Sequence, residues 1–378
     1  MTFGIVDIIL LIGAAQGYLL AFFIIHKYRK KSAPRYLAIL MSLISTILIE
    51  LLFHDNGVYH TLPYLKYILS GLPFLVGPLY FLYARQLTHG EIKSGGHIWQ
   101  HFIPYIIFKA VELPRFIDSK EKVIAYLHFL EKPGFSVTII LWNWAIIIHI
   151  LSYIVATIFM LRRYNRNIMD IFSTIEQIKL AWLRTVSYLI IAAFAVFITE
   201  MIFYMFGINL SNYFTLSSAM GGVFLYSMGY FGLVKSEIFM DSDITSQLDQ
   251  LKTGGNAKYE KSGLTSEDAR KCIDRLKQLM ESGRLYRDSS LTLTKLADLL
   301  NITSHNLSQA LNTQLHQNFF DFINHYRVEQ IKTDLIDPDK KNLTLLSLAL
   351  DAGFNSKSSF NAIFKKHTGL TPSTFRKS

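Results

Sequence analysis

The sequence is poor in cysteine and in catalytic signatures. Its single cysteine, Cys272, excludes an intrachain disulfide, and the polar helical stretch around it gives no sign of a metal or redox site. No Walker phosphate loop, Gly-x-Ser-x-Gly elbow or kinase motif is present, so the chain reads as a non-enzyme with no cofactor and no metal. A receiver signature is also missing, which leaves no basis for a phosphorelay. No positive charge precedes the first apolar run, and no small-residue cleavage site follows it, which speaks against a secretory signal peptide. No inverted repeat is visible, which counts against a transporter. Residues 236–263 lack sustained heptads, so a homodimer, though a candidate assembly, has no coiled coil there to fix it.

Apolar residues, by contrast, are abundant. Hydrophobic side chains make up 51% of the chain and aromatics 14%, high for a soluble protein, and they concentrate before about residue 234. Residues 1–235 carry 19 Lys and Arg against 11 Asp and Glu, whereas residues 236–378 carry 19 against 17. The formal charge of +10 therefore arises mostly in the apolar part, and overall basicity is no argument for nucleic-acid binding.

Seven apolar segments can be marked, over residues 3–26, 36–53, 64–84, 98–113, 136–161, 185–206 and 213–234. A helix needs about 20 residues to cross the hydrocarbon core, so six fit and the fourth is short. Basic residues fix the expected orientation. Lys27, Arg29, Lys30 and Lys31 follow the first segment, and the expected inner loops hold 12 Lys and Arg against four in the outer loops. The N-terminus is then outside and everything after Lys235 is cytoplasmic, with the lipid bilayer as the direct partner of the apolar part.

Within these segments, Gly71, Pro73, Gly77 and Pro78 are expected to kink the third helix. Ionisable groups are costly in a span, which makes Glu50, Glu112 and Glu200, with Asn143 at similar depth between Trp142 and Trp144, a candidate site for an unknown signal ligand. The alternative is that these glutamates reach the headgroup region. His149 reads as an interhelical hydrogen-bonder. Residues 162–183, with Met169, Ile171, Phe172, Ile175 and Ile178 among charges, read as an amphipathic helix at the membrane surface.

The composition then changes. Residues 236–263 are polar and glycine-containing, a flexible linker between a transmembrane domain (residues 1–235) and a C-terminal domain (residues 264–378). Thr265 followed by Asp268 resembles a capping box for a helix with an apolar stripe through Ile273, Leu276, Leu279 and Met280. Leu293, Leu296, Ala297, Leu299 and Leu300, the turn Asn301-Ile302-Thr303, and a second short helix make one helix-turn-helix, whose outer side offers His305, Ser308, Gln309 and Asn312. A long helix over residues 319–336 follows. Leu345, Leu346, Leu348 and Ala349, the turn at Gly353, the cap Ser356 and the stripe Phe360, Ile363 and Phe364 make a second. Hydroxyl, amide and amine groups on an exposed helical face suit base edges and phosphates in a major groove.

The run GFNSKSSFNAIFKKHTGLTPSTFRK resembles the second helix-turn-helix of AraC/XylS-type transcription regulators, and NFFDFINHYRVEQIK resembles their connecting helix. The resemblance implies double-stranded promoter DNA as partner, with His305, Ser308, Gln309, Asn312, Lys357, Ser358, Ser359 and Asn361 reading bases and Lys365, Lys366 and Arg376 contacting phosphate. Soluble members carry a cupin-like ligand domain where this chain has apolar segments. That arrangement resembles bacterial regulators with a seven-helix membrane region. The expected architecture is all-α: a polytopic transmembrane bundle of about seven spans followed by a cytoplasmic AraC-type domain. The competing reading is a transporter or receptor whose C-terminal helices are a protein-interaction module.

Overall fold

The computed structural model describes residues 4–28, 32–90, 97–131, 137–176, 178–205, 227 and 265–377. These are helical almost throughout, and the one β-type pairing among them is an isolated antiparallel bridge between Phe172 and Thr292. The chain divides into two compact units, Met1–Arg162 with Leu180–Asp241, and Arg163–Lys179 with Ser242–Ser378.

In the first unit α1 (Ile5–Lys27) and α2 (Ser32–Asp55) pack along each other, burying Ala14, Ala21 and Ile24 on one side and Leu37, Leu40 and Met41 on the other. Tyr18 and Thr46 share a hydrogen bond of 2.7 Å between them. Two short helices follow, α3 (Val58–Thr61) and α4 (Pro63–Leu69), then α5 (Pro73–His89), with Pro78 inside it. The third apolar segment is thus interrupted at residues 70–72, where glycine and proline were expected to bend it. Next come α6 (Ile103–Ile117), α7 (Lys120–Glu131), α8 (Val137–Met169) and α9 (Ala181–Met205). Tyr80 on α5 donates to the Leu183 carbonyl at 3.0 Å and lies 2.8 Å from Ser187 Oγ, joining α5 to α9. The expected role of His149 is met by its Nε2, 3.1 Å from the Phe74 carbonyl.

Among the described residues five stretches are long and apolar enough to cross a membrane: Asp7–Lys27, Ala33–His54, Pro63–His89, Ile140–Met169 and Ala181–Phe203. The expected fourth span becomes a 3-10 turn, Ile98–Phe102, leading into the 15-residue α6. At 1.5 Å per residue α6 covers about 22 Å, less than a hydrocarbon core of about 30 Å. The expected seventh span, residues 213–234, and the linker, residues 236–263, lie outside the described residues. The expected amphipathic helix over residues 162–183 is not formed. Instead α8 runs on to Met169 and the chain then makes turn, bridge and bend, because Ile171 and Ile175 are buried and the backbone there is held by residues 291–293.

The second unit contains α10 (Ser266–Gly283), α11 (Leu293–Leu300), α12 (Ser304–Ala310), α13 (Phe319–Ile336), α14 (Leu345–Asp351), α15 (Lys357–Thr368) and α16 (Pro372–Phe375). One core gathers Ile273, Leu276, Met280, Leu296, Leu307 and Phe322 around α10 to α13. Cys272 is buried beside them as a small apolar side chain. Beyond α13, the rings of Phe354, Phe360, Phe364 and Phe375 follow one another at 5.5 to 5.7 Å. The 18 residues of α13 extend about 27 Å and are buried on most sides, so this helix serves as a rigid axle between two smaller groups.

Close approach of α5 to α8 depends on Gly77, where an added Cβ would stand 3.2 Å from Ile150 Cα and 3.1 Å from Tyr153 Cδ2. Gly77→Leu is expected to force these helices apart at a cost of about 1–3 kcal/mol. The thermal midpoint of the detergent-purified protein should fall by several degrees, whereas Ile148→Leu at an exposed position should leave it in place.

Candidate nucleic-acid interface

The first helix-turn-helix is α11, a turn and α12. Thr292 caps α11 by accepting from the Lys295 amide at 3.2 Å, and Thr303 caps α12 by accepting from Asn306 at 3.1 Å. Between them Asn301 adopts a left-handed conformation, φ 55°, and closes α11 through its amide to the Ala297 and Asp298 carbonyls. A π-helical turn, Leu311–Leu315, prolongs α12 and ends at left-handed His316. Leu307, Ala310 and Leu311 face the core, which leaves His305, Gln309 and Asn312 exposed and Ser308 half-buried on the other side. Asn312 Nδ2 donates to the Ser308 carbonyl at 3.0 Å, so its amide lies back along the helix.

The second motif is α14, a turn and α15. Thr344 accepts from Ser347, and Ser356 accepts from Ser359, each at 3.1 Å. The turn pivots on Gly353 at φ 96°, where a Cβ would stand 2.6 Å from the Tyr286 carbonyl oxygen and 2.8 Å from that of Arg287. Only glycine satisfies both the dihedral angle and the space. Phe360, Ile363 and Phe364 are buried, and Lys357, Ser358, Asn361, Lys365 and Lys366 are exposed. Ser359 is not on that open face. At 7% exposure it shares the inner side with Ile363, and its hydroxyl donates to Glu176 Oε1. Lys366 reaches across to Asp321 on α13 at 2.7 Å, an exposed pair worth about 0–1 kcal/mol and therefore easily exchanged. Arg376 is half-buried, with Nε and Nη2 enclosed and unbonded among the described residues.

Residues 296–378 match the family model described as a helix-turn-helix domain. An uncharacterized HTH-type transcriptional regulator of Staphylococcus aureus strain COL is 31% identical over 103 residues, 27% of this chain and 13% of that protein. The melibiose operon regulatory protein of Escherichia coli K12 is 28% identical over 90 residues, 24% of this chain and 29% of that protein. The C-terminal end of the chain is an AraC-type helix-turn-helix domain. A solved structure, the C-terminal domain of AraT, a response regulator from Geobacillus stearothermophilus, is 24% identical, with a TM-score of 0.26 over 31% of this chain and 88% of that one. The chain thus spans only 13% of the length of the first of these curated relatives.

At the centre of the AraC-type domain lies a charge that the sequence reading passed over. Arg327, on α13, is 1% exposed, and each nitrogen of its guanidinium donates to a main-chain carbonyl. Its Nε donates to the Tyr286 carbonyl at 2.7 Å, Nη1 to the Ser173 carbonyl at 2.9 Å, and Nη2 to the Asp288 carbonyl at 3.0 Å and Ser173 Oγ at 3.1 Å. Burial pushes its pKa down to about 10, against the opposing pull of Glu176 and Asp288. Asn324, one turn earlier, donates to the Phe320 carbonyl at 2.8 Å and to the Ser173 carbonyl at 3.3 Å. The available signal was an arginine four residues from both Ile323 and Ile331, on the buried side of an otherwise apolar stripe.

The polar groups singled out in the first unit are only partly gathered. Lys66 on α4 pairs with Glu50 at 2.7 Å, and Ser70, just after α4, donates to Glu112 on α6. Both carboxylates are therefore tied to one short helix. Asn143 is half-buried on α8, beside Trp142, whose ring meets Phe108 at 4.8 Å. Glu200 on α9 is 5% exposed, and its carboxylate has no hydrogen-bond partner among the described residues. No group of three or more metal-ligating side chains occurs among them.

Gly353→Ala is expected to destabilise the AraC-type domain by about 2–4 kcal/mol, combining backbone strain with a carbonyl clash. Denaturant unfolding followed by tryptophan-independent circular dichroism on the purified protein should show an earlier helical transition, while Gly369→Ala, with nothing within 4 Å of the added Cβ, should cost less.

Proposed function

We propose that the chain is a membrane-bound, sequence-specific DNA-binding transcription regulator that couples an envelope or membrane signal to transcription. The observation that carries this reading is the presence, in one chain, of five stretches fit to cross a membrane and an AraC-type domain with two capped helix-turn-helix motifs on a single axle. An axle of about 27 Å brings two reading helices toward the spacing of one DNA turn, about 34 Å, so one copy can enter successive major grooves.

In this proposal His305, Ser308, Gln309 and Asn312 read one half-site, and Lys357, Ser358 and Asn361 the other. Lys365, Lys366 and Arg376 hold phosphate, Lys366 by exchanging Asp321 for the backbone of DNA. Ser359 belongs to this set only if the contact with Glu176 opens. The apolar part sits in the inner membrane with its N-terminus outside and the AraC-type domain in the cytoplasm. The Glu50 and Glu112 cluster is the candidate site for the signal ligand, with Asn143 and Glu200 as further candidates. The homodimer belongs to the proposal too, as a second way of raising the local concentration of reading helices.

Genome-wide occupancy of the full-length protein in its native membrane tests the reading. A few sharp sites sharing a two-part motif are expected. Occupancy no higher than background, together with equal affinity of the purified protein for all duplexes, would instead favour a transporter or receptor with an interaction module. On a cognate duplex, Lys357→Ala should lose about 1–3 kcal/mol of discrimination within one half-site. Lys365→Ala should weaken all sequences alike and lower the salt slope by about one, as read by fluorescence anisotropy across a salt series.

A further inference from the structure

Residues 170–176 follow α8 directly and belong to the second unit. Leu293 is the first residue of α11, so its amide has no partner within that helix. The Ile171 carbonyl accepts that amide at 2.8 Å. In return, Ser173 donates through its amide to the Leu291 carbonyl at 3.3 Å and through its hydroxyl to the same oxygen at 2.8 Å. The Ser173 carbonyl receives Arg327 and Asn324 from α13, and Glu176 receives the Ser359 hydroxyl from α15. Six residues of chain are thereby bonded to the start of the first motif, the middle of the axle and the reading helix of the second. Ile171 and Ile175 within this segment are themselves buried. The exposed groups of both reading helices, among them His305, Gln309, Lys357 and Asn361, stay uncovered while these bonds are made.

We infer that residues 171–176 are a strap, docked in a groove of the AraC-type domain, that holds the two helix-turn-helix motifs in one relative orientation and so sets the half-site spacing the protein selects. The inference rests on the proposed DNA-reading function. The occupant of the groove is this segment of the same chain, recognised by backbone pairing at residues 291–293, by the Arg327 guanidinium and by the Ser359 hydroxyl. A strap that leaves the reading faces open acts by preorganising them, and its release loosens the spacing without blocking either half. Because the strap continues directly from α8, a change in α8 has a covalent route to that spacing.

The test uses full-length protein in lipid nanodiscs and a Ser173→Ala/Glu176→Ala double variant. Arg327→Ala is unsuitable, since it also frees the Tyr286 and Asp288 carbonyls. Duplexes carry the two half-sites at the preferred spacing, at spacings altered by two or three base pairs, or one half-site alone. The variant is expected to bind the preferred duplex about tenfold more weakly and to lose its spacing preference, while single half-sites bind as in the parent. Hydrogen exchange should show the Leu293 amide protected in the parent and faster in the variant. Unchanged spacing preference in the variant, or a Leu293 amide exchanging freely in the parent, overturns the strap. If the double variant does not fold, Glu176→Ala alone, which removes the bond to Ser359 and one negative charge near Arg327 but no hydrogen bond to α11 or α13, carries the same comparison. A parent that binds no duplex selectively refutes the regulator reading, whereas the exchange measurement still decides whether the segment is docked.

Discussion

The second unit is organised by one buried cation. Arg327 has five N–H groups, and every nitrogen of its guanidinium donates to a main-chain carbonyl, with hydroxyl and amide oxygens as its further acceptors. Burying a guanidinium costs several kcal/mol, which explains the fall of its pKa to about 10, a value that still leaves it charged at neutral pH. Charge-assisted bonds of about 1.5–3 kcal/mol each offset that cost only if all acceptors stay in place together. The arrangement is consequently all-or-none. The Tyr286 to Asp288 connector, the Ser173 carbonyl and α13 are fixed relative to one another by a group that tolerates the loss of none of them. Gly353 is drawn into the same arrangement, because the carbonyl of Tyr286 that accepts Arg327 is also the atom its missing Cβ would strike.

Around that centre the helices are specified locally. Thr265, Thr292, Thr303, Asn318, Thr344, Ser356 and Thr371 each accept the amide three residues on, so most helices of the unit begin at a side chain chosen for it. Each cap contributes on the order of 1 kcal/mol and fixes where its helix starts. For a reading helix, that start decides which side chains point outward. Local specification and the long-range arginine thus divide the work: caps set each helix in register, and Arg327 sets the helices against one another.

This division explains how much was legible in the sequence. Caps, the Gly353 turn and the apolar stripe of α15 are short-range patterns, and they placed both motifs and most of the exposed groups. Hydropathy placed the five stretches long and apolar enough to cross a membrane equally well, because length and apolar character are read without knowing neighbours. Ser359 escaped because its serine side chain is as polar as that of Ser358, and only the helix phase relative to Phe360 and Ile363 distinguishes inner from outer. Residues 170–176 escaped for a different reason. Their apolar residues carry a helical period, but their backbone is claimed by residues 291–293, more than a hundred positions away, and no local rule anticipates that competition. Neither the pairing of Glu50 with Lys66 nor the bond of Ser70 to Glu112 was foreseen, since both depend on the short helix α4 formed where the third apolar segment breaks.

Charge supplies the last constraint on how such a protein can read DNA. Residues 236–378 have nearly balanced charge, and one of the basic residues near the reading face, Lys366, is already paired with Asp321. Non-specific affinity grows with the number of phosphates neutralised, so a nearly neutral domain gains little from contacts that ignore sequence. Under the proposed function, membrane attachment would remove the other usual compensation, free sliding along distant DNA. Under the proposed function, selectivity then rests on engaging both half-sites at once, where the second contact forms at high effective concentration only if the two motifs are held at the correct separation. A weakly basic reader therefore needs a stiff frame more than a strongly basic one does. The buried α13, locked by a cation that fails as a unit, supplies that stiffness.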